Sequence, residues 1–256
     1  MDEPTLSPQE QRLAEVYDAF HAARASSSLS ARLYALAMGE DYPPEVNASS
    51  SCDWQLLATA VRRLRLHPGQ HLVDLGCGTG GEGLWLARAL AARLTGIDVS
   101  LVAVHLAAAR AGQFVPKGRA DFRVGTLAST GLPDGSADGV ICVDAYGFAP
   151  NKRAAIDEVH RILAPGARAV ITFSGQAPLS SRPWTYQGLE LEAEEHRPGV
   201  GQMWLRLYEL RAEHEAELRR EFGDDHAQDM LDEAQRRAPT VSSRHFSVVT
   251  LRRTTD

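Results

Sequence analysis

Lysine is almost missing from this chain: Lys117 and Lys152 are the only lysines among its 27 basic residues. Arginine neither gives up its proton at ordinary pH nor forms a Schiff base, so lysine-dependent covalent chemistry is confined to two positions. Cysteine is also sparse. Cys52, Cys77 and Cys142 are odd in number, far apart and without C-x-x-C spacing, which speaks against a disulfide framework or a zinc site and fits a reducing compartment. No apolar run reaches the roughly 18 residues of a membrane span, and Met1-Asp2-Glu3-Pro4 lacks the basic and apolar stretches of a secretory signal. A soluble, cytoplasmic protein is expected, and Asn47-Ala48-Ser49 is read as a chance glycosylation sequon. Positive charge is short as well, with 27 basic against 33 acidic residues and no Lys/Arg stripe interleaved with aromatics. Neither nucleic acid nor membrane is an expected partner, whereas a homodimer is left open.

What is present is a foldable chain of 256 residues, 44% hydrophobic and 23% charged, enough for one core with a substantial insertion. The first third reads as helices. Ser7-Pro8-Gln9-Glu10 is an N-cap serine, a proline at the first helical position and a capping-box glutamate, followed by Leu13, Val16, Tyr17 and Phe20 at helical spacing to about Ala23. Further helices are expected over 31–38 and from Asp53. From His71 short apolar runs alternate with helical stretches, which predicts βαβ units: strands at 71–75, 93–97, 121–124, 138–143 and 168–173, with helices near 81–91, 101–111 and 152–163. Beyond the Gly/Pro/Ser-rich 174–183 loop come a strand opening on Leu189-Glu190-Leu191-Glu192, helices near 202–222 and 225–237, and a closing strand over 246–251. The expected fold is α/β: a Rossmann-like, doubly wound, mostly parallel seven-stranded sheet with an N-terminal helical segment and a helical cap inserted before the last strand. The expected units are 1–66, a core over 67–175, and a pocket segment over 176–256.

Leu72-Val73-Asp74-Leu75-Gly76-Cys77-Gly78-Thr79-Gly80-Gly81 is a strand running into a glycine turn and a helix, where backbone N–H groups can meet a ligand. Gly76, Gly78 and Gly81 also satisfy the dinucleotide spacing G-x-G-x-x-G, and Asp98, at the end of the second strand, could take ribose hydroxyls in either case. Asp74 favours a cationic ligand over a pyrophosphate, which its charge would repel. This stretch, with Gly96-Ile97-Asp98-Val99 after it, resembles the class I S-adenosylmethionine-dependent methyltransferases. Leu132-Pro133-Asp134-Gly135-Ser136-Ala137-Asp138, Val143-Asp144-Ala145-Tyr146 and Glu158-Val159-His160-Arg161-Ile162-Leu163-Ala164-Pro165-Gly166 resemble the family's stretches around its fourth and fifth strands. The resemblance covers roughly residues 54–175.

It implies S-adenosylmethionine as donor, with S-adenosylhomocysteine as product, and a site made of Asp74, Gly76, Cys77, Gly78, Gly80, Asp98, Val99, Thr126, Leu127 and Asp144. Two departures stand out. Thr126 replaces an aspartate that many relatives use toward the adenine amino group, and only about a dozen residues separate the fifth strand from Leu189, so the helix usual there is shortened or missing. Methyl transfer from a sulfonium asks mainly for alignment, an effect of up to about 7–11 kcal/mol, with a general base optional. Candidate catalytic groups are Asp144, Tyr17, His21 and His196, where Asp144 competes with a loop-capping role and His196 precedes Pro198-Gly199 in the cap. Glu82 suits a helix start through the helix dipole and could also face the donor, while His160 reads as structural. Tyr17, Tyr146, Phe148, Trp184, Tyr186, Trp204 and Tyr208 are candidates to line an acceptor pocket for a planar or aromatic molecule. Thr172-Phe173-Ser174 offers no hard-cation ligands, and no metal is expected. The composition and Gly39-Glu40-Asp41-Tyr42-Pro43 resemble methyltransferases that tailor bacterial secondary metabolites. Competing readings are an NAD-dependent oxidoreductase, which would rest on the alternative glycine spacing, and a non-catalytic S-adenosylmethionine-binding partner protein.

Overall fold

Ser7 opens the first helix, α1 (Pro8–Ala25), through the full capping box: its hydroxyl accepts from the Glu10 N–H at 3.4 Å while Glu10 Oε2 accepts from the Ser7 N–H at 2.9 Å. The computed structural model describes residues 6–255 apart from 182, 185 and 187, so Met1–Pro4 and position 182 of the 174–183 loop lie outside the described residues. Two more helices follow, α2 (Leu29–Met38) and α3 (Trp54–Leu64), the latter capped by Asp53, whose Oδ1 accepts from Leu56 N at 2.6 Å.

The alternation from His71 is realised as β1 (His71–Leu75), α4 (Gly81–Ala89), β2 (Arg93–Asp98), α5 (Leu101–Arg110), β3 (Ala120–Val124), β4 (Ala137–Cys142), α6 (Lys152–Ile162) and β5 (Leu163–Gly175). Beyond it lie β6 (Leu189–His196), α7 (Gly199–Glu213), α8 (Glu215–Phe222), α9 (Asp224–Val241) and β7 (His245–Arg253). The seven-stranded sheet has the order β3-β2-β1-β4-β5-β7-β6; the first five strands are parallel, and β7 pairs antiparallel with both β5 and β6. Strand order reverses between β1 and β4, where loops at the carboxyl ends diverge and leave a crevice.

Two differences from the sequence reading have physical reasons. The helix expected over 202–222 is two helices, broken at His214, whose φ of −109° and ψ of 24° leave the helical region. Strand β6 continues to His196 because every residue from Glu194 on finds a partner on β7, with His196 opposite Ser247. Between β5 and β6 the described residues contain one short 3-10 turn, Leu179–Ser181, in keeping with the expectation of a shortened or missing helix there.

One face of the sheet is covered by α3 and α4 through Leu56, Leu57, Leu64, Leu84 and Leu86, and the other by α6 through Ile156, Val159 and Ile162. A third core lies off the sheet. Leu29, Leu33 and Tyr34 of α2 pack with Leu207 and Leu210 of α7 and Leu218 of α8, so the N-terminal helices and the late helices form one cap over the carboxyl ends of the strands. Each such buried leucine contributes about 1.5–3 kcal/mol, which holds the cap to itself independently of any ligand.

Candidate active site

The turn after β1 is held to β2 by the N–H groups of Gly76 and Cys77, which both donate to the Ile97 carbonyl at 2.8 and 3.0 Å. Gly76 and Gly78 have φ of +71° and +50°, in the left-handed region that favours glycine. They are glycine for different reasons. A Cβ on Gly76 would collide with Ala145 Cβ at 2.2 Å, whereas on Gly78 it would meet only His21 Cε1 at 3.6 Å and project into a cavity. Gly81, the third glycine of the dinucleotide spacing, has the Val46 carbonyl oxygen where a Cβ would stand, at 2.1 Å. That glycine makes room for the N-terminal segment.

The cavity has a volume of about 1030 Å³ and is lined by Gly76, Cys77, Gly78, Asp98, Val99, Thr126, Leu127 and Asp144 of the expected donor set. Asp98 is 8% exposed; its Oδ2 accepts from Gly78 N at 2.8 Å and its Oδ1 from Ser100 N at 2.9 Å, while burial pushes its pKa up. Asp74 and Gly80 stand outside the lining and correct the sequence reading. Asp74 Oδ2 is turned toward Gly83 N, 3.1 Å away, and burial with Glu82 and Asp98 nearby raises its pKa well above the ordinary value, so it braces the start of α4. Gly80 is packed against Ala107 and Phe122.

Helix α1 closes this end. Asp18 Oδ1 accepts from Ser100 Oγ at 2.5 Å and from Val102 N at 3.1 Å, which fastens α1 to the start of α5. His21 lies 4% exposed beside Gly78, with its Nδ1 buried and unpartnered, and burial and then Arg24 lower its pKa to about 4. Tyr17, stacked on His21 at 6.2 Å, has its pKa raised to about 12 by burial and the Asp98 charge. Glu10 reaches the cavity too; partial burial opposes its ionisation, but hydrogen bonds from Ser7 and Thr126 hold its carboxyl below the usual range. A carboxylate therefore stands beside Thr126 although the local motif lacks one, contributed from residues far away in sequence.

Asp144 follows β4 with φ +50°, a left-handed conformation for a non-glycine residue. Its carboxylate accepts from Ser51 N at 2.6 Å, Ser51 Oγ at 3.1 Å and Thr172 Oγ1 at 2.9 Å. Arg197 donates to Ser51 Oγ at 3.0 Å and to Asp53 Oδ2 at 2.9 Å, so cap and sheet meet in one buried polar network. This geometry favours a positioning role for Asp144, since its lone pairs facing Ser51 and Thr172 are already engaged.

The far end of the cavity is aromatic. Trp204 packs edge-on to Tyr34 at 6.3 Å and lies 6.0 Å from Tyr208, and Tyr17 meets Phe148 at 6.2 Å. Tyr146, Phe148, Trp204 and Tyr208 of the expected acceptor set line it. Trp184, Tyr186 and His196 do not. Trp184 and Tyr186 pack on the α6 face, where Tyr186 Oη donates to Asp157 and Trp184 Nε1 to the Leu189 carbonyl at 2.7 Å. His196 is exposed on the sheet edge, stacked 4.5 Å from His245, because β6 runs further than its sequence pattern shows. Sequence reading passed over Arg24, Ser51 and Arg197, which are lone polar residues with no spacing to mark them, and read Glu10 as a helix cap alone. Among the described residues no group of three His, Cys, Asp or Glu side chains could hold a metal ion.

Residues 73–171 match the family model described as a methyltransferase domain. An O-methyltransferase of Penicillium expansum, cnsE, is 34% identical over 110 residues, covering 42% of this chain and 40% of the relative. A probable tocopherol O-methyltransferase of Oryza sativa subsp. japonica is 32% identical over 127 residues, 50% of this chain and 32% of its own length. The chain thus spans about two fifths of the length of the first curated relatives it matches. Among solved structures, that of the [4+2]-cyclase SpnF superposes with a TM-score of 0.74 at 21% identity over 100% of both chains. Geranyl diphosphate methyltransferase, solved in complex with GPP and sinefungin, gives 0.63 at 15% identity over 96% of this chain and 100% of the other.

Proposed function

We propose that this chain, which matches the methyltransferase-domain family over residues 73–171, transfers a methyl group from S-adenosylmethionine to a small planar or aromatic acceptor. The observation that carries the reading is the single cavity running from Gly78, Asp98 and Thr126 to Trp204 and Tyr208. Its donor end fits the nucleoside and amino-acid parts of S-adenosylmethionine: Gly78 leaves room, Asp98 offers a buried carboxylate to hydroxyls, and Glu82, hydrogen-bonded to Ser50 Oγ at 2.8 Å, offers negative charge to an ammonium. When bound, the donor supplies a methyl group already activated by a sulfonium.

The protein then has to enclose and align. Helices α1, α7 and α9 line the cavity, and the aromatic wall orients a flat acceptor. The O-methyltransferase names of the relatives favour an oxygen acceptor. Tyr17, with its pKa near 12, and His21, held neutral by burial, stand near the glycine turn as hydrogen-bonding groups, and the low pKa of His21 makes it a weak base. No metal enters this scheme because the sulfonium itself activates the carbon. Three buried free cysteines suit a cytoplasmic setting, and a net charge of −6 disfavours a nucleic-acid acceptor.

A second reading is favoured by the Asp144 carboxylate, which is bound to Ser51 and Thr172, together with the whole-length likeness to a [4+2]-cyclase: the same cavity would fold a substrate for ring closure without methyl transfer. Incubation with deuteromethyl-labelled S-adenosylmethionine and a panel of planar phenols, read by mass spectrometry, separates the two. Labelled product supports methyl transfer. Tight S-adenosylhomocysteine binding with no label transferred to any phenol would favour the second reading.

A further inference from the structure

The aromatic end of the cavity presents N–H and O–H groups with little to receive them. Trp204 Nε1 and Tyr208 Oη have no hydrogen-bond partner among the described residues, although both side chains line the cavity and Tyr208 is only 6% exposed. Arg244, between α9 and β7, is exposed but not loose: its Nε donates to Ser174 Oγ at 2.7 Å and its Nη2 to the Ser174 carbonyl at 3.0 Å. That grip leaves Nη1 without a partner, and no carboxylate pairs with Arg244, among the described residues. Arg236 of α9 lines the same cavity with neither ion pair nor hydrogen bond among the described residues.

The charges on this side do not cancel. Arg211, Arg236, Arg237 and Arg244 stand against Asp229 and Glu233, and both oxygens of Glu233 are already taken, Oε2 by Arg211 at 3.0 Å and Oε1 by Arg237 at 3.2 Å. Burial and then the Glu233 charge raise the Tyr208 pKa while Arg237, Arg211 and Arg244 lower it, so three guanidiniums act on one hydroxyl. The glycine-turn end has the opposite balance, with Glu10, Glu82 and Asp98 against Arg24. Guanidinium and indole N–H groups can only donate, and a wall of such groups is completed by a group that only accepts. A carboxylate is such a group, and the guanidinium fork matches its plane, whereas a carboxamide brings N–H groups of its own and an ammonium would be repelled.

We propose that the molecule methylated is a planar acid, whose ring lies against Trp204 and Tyr208 and whose carboxylate is received by Arg244 and the Tyr208 hydroxyl. The proposal rests on the methyltransferase reading above and narrows it. Ser174 gains a part in this arrangement: by holding two nitrogens of Arg244 it fixes the guanidinium before the acid arrives, so less side-chain freedom is lost on binding. Arg237, whose guanidinium lies 5.3 Å from the centre of the Phe148 ring, and Arg236 add a positive field that draws an anion into the cavity.

Two probes isolate the charge: 6-hydroxy-2-naphthoate and its uncharged carboxamide, titrated by calorimetry with and without saturating S-adenosylhomocysteine. The wild type should prefer the carboxylate by about tenfold or more at low salt, the range of a charge-assisted hydrogen bond, and less at high salt because Arg244 is exposed. In Arg244→Gln that preference should shrink to about threefold or less while the carboxamide and S-adenosylhomocysteine bind as before, and Tyr208→Phe should shrink it in part. A carboxamide bound as tightly as the carboxylate by the wild type would overturn the proposal, as would an Arg244→Gln chain that keeps the full preference or a wild type that binds neither probe. The wild-type comparison stands even if a variant fails to fold. Preference for the carboxylate without any binding of S-adenosylhomocysteine would uphold the acid pocket and strike the methyltransferase reading alone.

Discussion

The two ends of the cavity are built in opposite ways. At the donor end the main chain makes the site: Gly76 and Gly78 take positive φ, Gly76 and Cys77 donate to Ile97, and the Gly78 N–H meets Asp98. At the acceptor end side chains make it, with Trp204 of α7 between Tyr34 of α2 and Tyr208, and Phe148 of the β4 loop meeting Tyr17 of α1. A backbone site writes itself into consecutive residues, because only glycine tolerates the turn. A side-chain site is assembled by packing between distant helices and leaves no local mark.

Changes at the donor end should therefore be sharp and specific to donor. Gly78→Val places a branched side chain in the cavity at φ +50° and should abolish measurable S-adenosylhomocysteine binding with the circular dichroism spectrum retained. Normal binding by that variant would detach the glycine turn from the donor. Asp144→Asn acts where the two ends meet. Asparagine tolerates the left-handed backbone but replaces one carboxylate oxygen by a donor facing Ser51 or Thr172, so thermal unfolding should show a loss of about 1–3 kcal/mol and the turnover rate should fall with it. A large rate loss at unchanged stability would return Asp144 to the role of a base.

His21 gives the comparison a pH axis. Its folded pKa, near 4, lies below the unfolded value of 6.5, so the unfolded chain binds the proton more readily; the stability it contributes is complete above pH 6.5 and is lost as pH falls toward 4, at up to about 1.4 kcal/mol per unit. His21→Gln should flatten the melting temperature between pH 6.5 and 4.5, and an identical slope in both proteins would contradict the burial argument. Glu10→Gln is the mildest test. It removes a charge beside Thr126 and weakens the capping box of α1, for about 1 kcal/mol of stability and a loss of donor affinity of about threefold to tenfold, by calorimetry.

Legibility followed the same divide. The strands from β1 to β5, the capping box at Ser7 and the lining by Gly76, Gly78 and Asp98 were readable because each follows from neighbouring residues. Asp74 was misplaced since spacing does not tell which side of a turn a carboxylate takes, and here the Gly83 N–H claims it. Trp184 and Tyr186 share their segment with the cap but pack on the α6 face, a choice made by the sheet order rather than by composition.

The central claim is that the glycine turn and Asp98 receive the donor of a methyl group rather than a dinucleotide. Titration calorimetry of the wild type with S-adenosylhomocysteine and, separately, with NADH tests it most directly. We predict saturable binding of S-adenosylhomocysteine and no heat with NADH beyond dilution; binding of NADH without S-adenosylhomocysteine would contradict the account.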